Sequence, residues 1–201
     1  MKNFDKFALA FASTVFFGGT AHAQSFDGPM VGAQAGWQDS KLRNPKLDVG
    51  IAPIDASHDT GTLGAFVGYD KRFGHVVLGG EAALNFATSG AMDRTTGSSR
   101  IRIDPKHAID LTARVGYLVT PETLVYARGG YTNERIRATL TTASGTTQGA
   151  EDRDGWLAGA GVERMIIPHL SARVEYRYAD LSQGDGKYDR HQLLTGIAWH
   201  F

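Results

Sequence analysis

A strict period of two in side-chain polarity runs through almost the whole of this chain, and it limits the fold to strands with two chemically different faces. The pattern begins with Val31, Ala33, Ala35 and Trp37 on one face against Gly32, Gln34, Gly36 and Gln38 on the other. It returns with Leu63 to Tyr69 against Gly64 to Asp70, then with Leu78, Ala82, Leu84 and Phe86 against Gly79, Glu81 and Asn85. A fourth strand sets Ile109 to Tyr117 against Asp110, Thr112, Arg114 and Gly116, and a fifth sets Val125, Ala127 and Tyr131 against Arg128 and Thr132. Trp156 to Val162 against Gly159, Gly161 and Glu163 make a sixth, and Leu170 to Tyr178 against Ser171, Arg173, Glu175 and Arg177 a seventh. The eighth carries Leu193, Thr195, Ile197, Trp199 and Phe201 opposite Leu194, Gly196, Ala198 and His200.

The connections alternate between long polar segments (39–59, 88–106, 133–154, 180–190) and short ones (72–74, 119–123, 165–169). Eight antiparallel strands joined in this way put every long connection at one end and every short turn at the other. This predicts an all-β fold, an eight-stranded antiparallel up-and-down transmembrane β-barrel. The choice between a membrane barrel and a soluble one rests on which face is apolar. A soluble barrel would turn its charges outward; here the charges sit on the face that closure turns inward. Aromatic residues fall at both ends of the apolar face, Trp37, Tyr131, Trp156 and Tyr178 at one and Tyr69, Tyr117, Trp199 and Phe201 at the other, as two interfacial girdles. The mean hydropathy of -0.24 fits such strands, because a lipid face and a polar lumen face average out.

Lys2 and Lys6, an apolar run from Phe7 to Phe17 and the small residues Ala21 and Ala23 around His22 read as a secretory signal peptide cleaved after Ala23. Residues 1–23 are therefore the leader and 24–201 one outer-membrane barrel domain. Cleavage would leave 19 basic and 20 acidic side chains of the 21 and 21 in the sequence, a balance that offers nothing to nucleic acid. Without cysteine there is no disulfide, thiol chemistry or thiolate metal site.

Several short motifs resemble those of the porin-like outer-membrane surface-antigen barrels of alphaproteobacteria, relatives of the OmpA transmembrane domain. They are Gly68-Tyr69, Leu78-Gly79-Gly80-Glu81, Arg114-Val115-Gly116-Tyr117, Leu124-Val125-Tyr126-Ala127 with Gly129-Gly130-Tyr131, Gly159-Ala160-Gly161-Val162-Glu163, Arg173-Val174-Glu175-Tyr176-Arg177-Tyr178 and the closing Phe201. The resemblance covers all of residues 24–201. It implies an outer-membrane location, a closed barrel and a surface or structural role. It also implies that Ile197, Trp199 and Phe201 are the signal read by the barrel-assembly machinery, helped by periplasmic chaperones. No soluble peptidoglycan-binding domain is expected after the last strand.

The main candidate site is a lumen charge network of Glu81, Arg114, Arg128, Glu163, Arg173, Glu175 and Arg177. Eight strands enclose an interior just wide enough for side chains to fill, and buried charges must pair. One network closing the lumen is the expectation, with a gate for ions as the alternative. His169 and Ser171 share a strand face at i, i+2 but lie in a turn away from the outer leaflet, so no catalytic pair is expected. The remaining histidines, His58, His75, His107, His191 and His200, have no ligand spacing and are expected to be solvated, with no cofactor; haem binding through His58, His107 and His191 is a weaker alternative.

The function expected is structural and non-enzymatic: a monomeric integral barrel that supports envelope integrity. Its long loops would be external and its termini periplasmic, in contact with outer-membrane lipid and lipopolysaccharide. A narrow porin-like channel or a surface adhesin are the alternatives.

Overall fold

A computed structural model describes residues 26–43, 56–88, 92–96, 99–142, 145–182 and 187–201. The leader expected over residues 1–23, with Ala21 and Ala23, lies outside the described residues. The strands are β1 (Gly28–Arg43), β2 (Ala56–Phe73), β3 (Val76–Ala87), β4 (Met92–Thr96), β5 (Ser99–Thr120), β6 (Thr123–Thr142), β7 (Gly145–Ile167), β8 (Leu170–Asp180) and β9 (Lys187–His200).

All pairings are antiparallel, and two of them close the ring: β1 with β9, and β3 with β5. Eight strands form this closed barrel, while β4 pairs with the start of β5 as an added hairpin. Because side chains alternate, a one-residue slip between any two strands would turn a lipid-facing set inward. The register avoids this: Ala33 lies opposite both Ala65 and Ile197, all outward, and Gln34 lies opposite Gly64 and Gly196, all inward. The outward face is apolar and open, as at Val67, Val115, Val174 and Ile197, each more than half exposed.

The long connections are shorter than the sequence suggests. The segment 133–154, read as a loop, is a continuous β6–β7 ladder from Asn133 opposite Asp154 to Thr142 opposite Gly145. β1 and β2 likewise pair out to Leu42 opposite Ala56, and segment 88–106 contains β4 and the first turns of pairing in β5. Beyond the apolar band the outward face can be polar, so the alternation that reveals a strand disappears while the backbone pairing continues.

At the other end the turns are tight and stitched to their neighbours. The backbone N–H of Leu118 donates to the His75 carbonyl at 2.8 Å, that of Met165 to Glu122 at 2.9 Å and that of His200 to His169 at 2.8 Å. Gly74 takes a left-handed φ of 64° in the β2–β3 turn, and His169 does the same at 69° in the β7–β8 turn despite its Cβ.

Candidate functional site: the filled lumen

Inside the barrel, apolar and polar layers alternate along the axis. Phe26, Val77, Leu118, Leu124 and Tyr126, with Met165 against them, seal the turn end. Met30, Phe66, Ala83 and Ala198 form a smaller layer, and Leu157, Ala179, Leu181 and Tyr188 another near the long hairpins.

Two hydrogen-bonded groups of charged side chains fill the space between. In the first, next to the turn-end seal, Arg114 donates through Nε and Nη2 to both oxygens of Asp70 and through Nη1 to Glu163 Oε2 at 2.7 Å. Ser171 donates to Glu163 Oε1 at 2.5 Å, and His200 Nε2 lies 3.2 Å from that same oxygen. His200 is thus buried and paired, in contrast to the solvated position expected of it; the inward parity of β9 at that residue decides the matter.

The second group centres on Glu81. Its carboxylate accepts from Arg128 Nη1 at 2.7 Å and Arg173 Nη1 at 2.6 Å, with Arg177 Nη2 at 3.6 Å. Arg128 reaches on to Glu175 at 2.9 Å, and Arg177 bonds both Glu175 and Asp110. Asp110 also accepts from Asn85 and Thr132, and Arg190 links it to Glu134. Gln34 ties the layers together, accepting from Arg173 at 2.8 Å and donating to Asn85 at 2.6 Å.

The sequence reading expects one charge network; among the described residues its hydrogen bonds fall into two groups, with the Tyr126 ring between them: the guanidinium carbons of Arg114 and Arg128 lie 5.2 and 5.3 Å from its centroid. Its hydroxyl donates to Glu175 at 2.5 Å. A ring that is a cation–π partner to both groups and a donor to one couples them.

All seven residues singled out from the sequence lie in the lumen, are buried and form ion pairs. Asp70, Asp110, Glu134, Arg190, Tyr126 and His200 were missed as members. Asp70 and Asp110 had the right parity and could have been found by it; Glu134 and Arg190 fell in segments read as loops. The carboxylates are Asp70, Glu81, Asp110, Glu134, Glu163 and Glu175, and the guanidiniums are those of Arg114, Arg128, Arg173, Arg177 and Arg190.

Room for these side chains comes from small residues on the inner face. A Cβ on Gly79 would stand 2.0 Å from Asp70 Oδ1 and 3.0 Å from the Tyr69 carbonyl, whereas one on Gly80 would meet nothing nearer than 3.8 Å. Gly79→Ala should therefore cost about 1–3 kcal/mol by displacing Asp70 from Arg114, and Gly80→Ala should stay within about 0.5 kcal/mol. Denaturant unfolding of the two refolded variants checks this, and equal costs would contradict it.

Other candidates are dispersed. Ser171 faces the lumen, while the His169 ring stacks on Trp199 and its Nδ1 lies 2.9 Å from the His200 carbonyl, so the two do not meet as a pair. His75 stacks on Tyr117. His107 lines a shallow cleft at the long-hairpin mouth with Glu134 and Arg190. His191 lies on β9, four strands from β5 around the ring, so one haem could not bridge it to His107. The side chain of His58 lies outside the described residues. At the chain's end Ile197, Trp199 and Phe201 all face outward, and the Phe201 N–H donates to the Pro29 carbonyl at 3.0 Å.

A closed eight-stranded ring with this inside-out polarity has clear relatives. Residues 8–201 match the family described as outer membrane protein beta-barrel domain. The chain belongs to that family. Among curated members it is similar to the 25 kDa outer-membrane immunogenic protein of Brucella ovis, 28% identical over 71% of this chain and 65% of that protein, so it spans slightly less than two thirds of this relative's length. It is also similar to the 31 kDa outer-membrane immunogenic protein of Brucella melitensis, 25% identical over 88% of this chain and 84% of that one. The barrel fold is shared with Ail, the attachment invasion locus protein of Yersinia pestis, in its complex with sucrose octasulfate (TM-score 0.53, 13% identity, 86% of this chain and 99% of that one). It is shared too with the N-terminal barrel domain of Pseudomonas aeruginosa OprF (TM-score 0.51, 13% identity, 88% and 100%). As a member of this family the chain is an outer-membrane β-barrel protein.

Proposed function

We propose that this family member is a closed, non-catalytic surface barrel that supports the integrity of the outer membrane, with its long hairpins external and both termini periplasmic. The observation that carries this reading is the paired lumen: among the described residues, five buried arginines and their carboxylates fill the space between apolar layers. The cluster of Ser171, His200 and Glu163, which holds a nucleophile, a base and an acid, also favours a structural role. Ser171 and Glu163 both face Nε2 of His200, no acid lies at Nδ1 among the described residues, and the Phe26 ring packs edge-on over the imidazole at 5.6 Å.

Its partners on this reading are the surrounding lipid and lipopolysaccharide, and the barrel acts as a monomer. The terminal strand with Ile197, Trp199 and Phe201 is the element handed to the assembly machinery. Deleting Phe201 should lower insertion into the membrane severalfold, more than removing comparable lipid-facing surface with Leu193→Ala; equal insertion in a membrane-fractionation assay would contradict that role.

The functional test is a deletion strain. Increased sensitivity to detergents and large hydrophobic antibiotics, restored by the intact gene, is the expected result. An intact barrier combined with lost uptake of a small solute would overturn the reading in favour of a channel.

A further inference from the structure

Where the apolar band ends on the long-hairpin side, β7, β8 and β9 carry an unusual outward cluster. Trp156 packs edge-on against Tyr178 at 5.5 Å, and Tyr178 lies 5.1 Å from His191. The Tyr178 hydroxyl donates to Asp189 Oδ1 at 2.9 Å, and the Tyr176 hydroxyl lies 2.7 Å from His191 Nδ1. Trp156 and Tyr176 remain about half exposed, at 52% and 50%.

Ordinary girdle aromatics need only an apolar body in the band and a polar tip in water. That account serves Tyr69 at the other rim, whose hydroxyl has no hydrogen bond among the described residues. In the β7–β9 cluster, by contrast, both tyrosine hydroxyls are tied to polar neighbours, so the rings are fixed before any ligand arrives and lose little freedom on binding. Flat ring faces beside a carboxylate and an imidazole suit a pyranose, whose C–H face covers an aromatic ring while its hydroxyls bond the polar groups. Among the described side chains, the charges beside these rings are acidic, not the cations that a phosphate needs. Asp189 is acidic, Asp180 lies opposite it in the register, and the nearby arginines, Arg177 and Arg190, are buried in the lumen.

We propose that Trp156, Tyr176, Tyr178, Asp189 and His191 form a docking surface for the sugar headgroup of a glycolipid in the surrounding leaflet. This deepens the functional reading above and rests on its orientation, long hairpins at the outer leaflet.

The test uses the refolded full barrel in detergent micelles, titrated with purified lipopolysaccharide in the presence of EDTA, with the thermal unfolding midpoint as readout. A saturable rise is expected for the natural protein and for Trp199→Leu at the opposite rim. Trp156→Leu and Tyr178→Phe should weaken the apparent affinity about tenfold or more, and Tyr178→Phe keeps the ring and so the fold. Unchanged affinity in both variants, disappearance of the effect in EDTA, or an equal saturable rise with phospholipid alone would overturn the proposal. Because micelles impose no sidedness, this outcome is independent of the orientation, which is tested separately by labelling the long hairpins on intact cells.

Discussion

Glu81→Leu is expected to destabilise the refolded barrel by about 3–5 kcal/mol, the cost of stranding buried charge. Glu81 holds the centre of the larger group: Arg173 bonds both its oxygens, at 2.6 and 3.1 Å, and so does Arg128, at 2.7 and 3.3 Å. Without it Arg128 keeps Glu175, but the hydrogen-bond partner left to Arg173 among the described residues is the neutral Gln34, with its guanidinium 3.7 Å above the Phe66 ring. A half-satisfied network is worse than an apolar one, so the double variant Glu81→Leu, Arg173→Leu should recover much of the loss. Urea unfolding from lipid vesicles across this cycle measures the coupling directly. A single-variant cost below about 1 kcal/mol would mean that water reaches these side chains and screens them.

The second large effect belongs to the outer face. Val174 is 57% exposed and lies opposite Val162 and Thr195, midway along β8 between the two girdles. Val174→Arg should cost about 2–4 kcal/mol, because the guanidinium would have to leave water at the middle of the bilayer. The same change at Val119, beside the β5–β6 turn and equally exposed at 56%, should cost no more than about 1 kcal/mol. Equal costs would show that the two positions share one environment, as on a water-soluble barrel.

These two predictions rest on features of unequal legibility. The inner and outer faces could be read directly, because parity is a local property: Arg173, Glu175 and Arg177 alternate with Val174 and Tyr176 wherever the strand goes. The partners could not, because closure sets them. Arg114 meets Asp70 across 44 residues and Arg173 meets Gln34 across 139. Glu134 and Arg190 were lost for another reason, since they lie where β6 and β9 leave the apolar band and alternation no longer marks a strand. Phe66 was legible in position but not in purpose; an apolar ring among inward polar residues makes sense only once Arg173 is seen to lie across it. Gly79, too, reads as a gap in the pattern until the Asp70 carboxylate is found in the space a Cβ would take.

On the function proposed above, the lumen is filled by paired side chains and closed to solutes. Single-channel recording of the purified barrel in planar bilayers tests it most directly, with the natural protein compared with Glu81→Leu. The natural protein should give long recordings at baseline, with current steps appearing only when the Glu81 group is broken. Stable, repeated conductance steps from the natural protein at moderate voltage would contradict it.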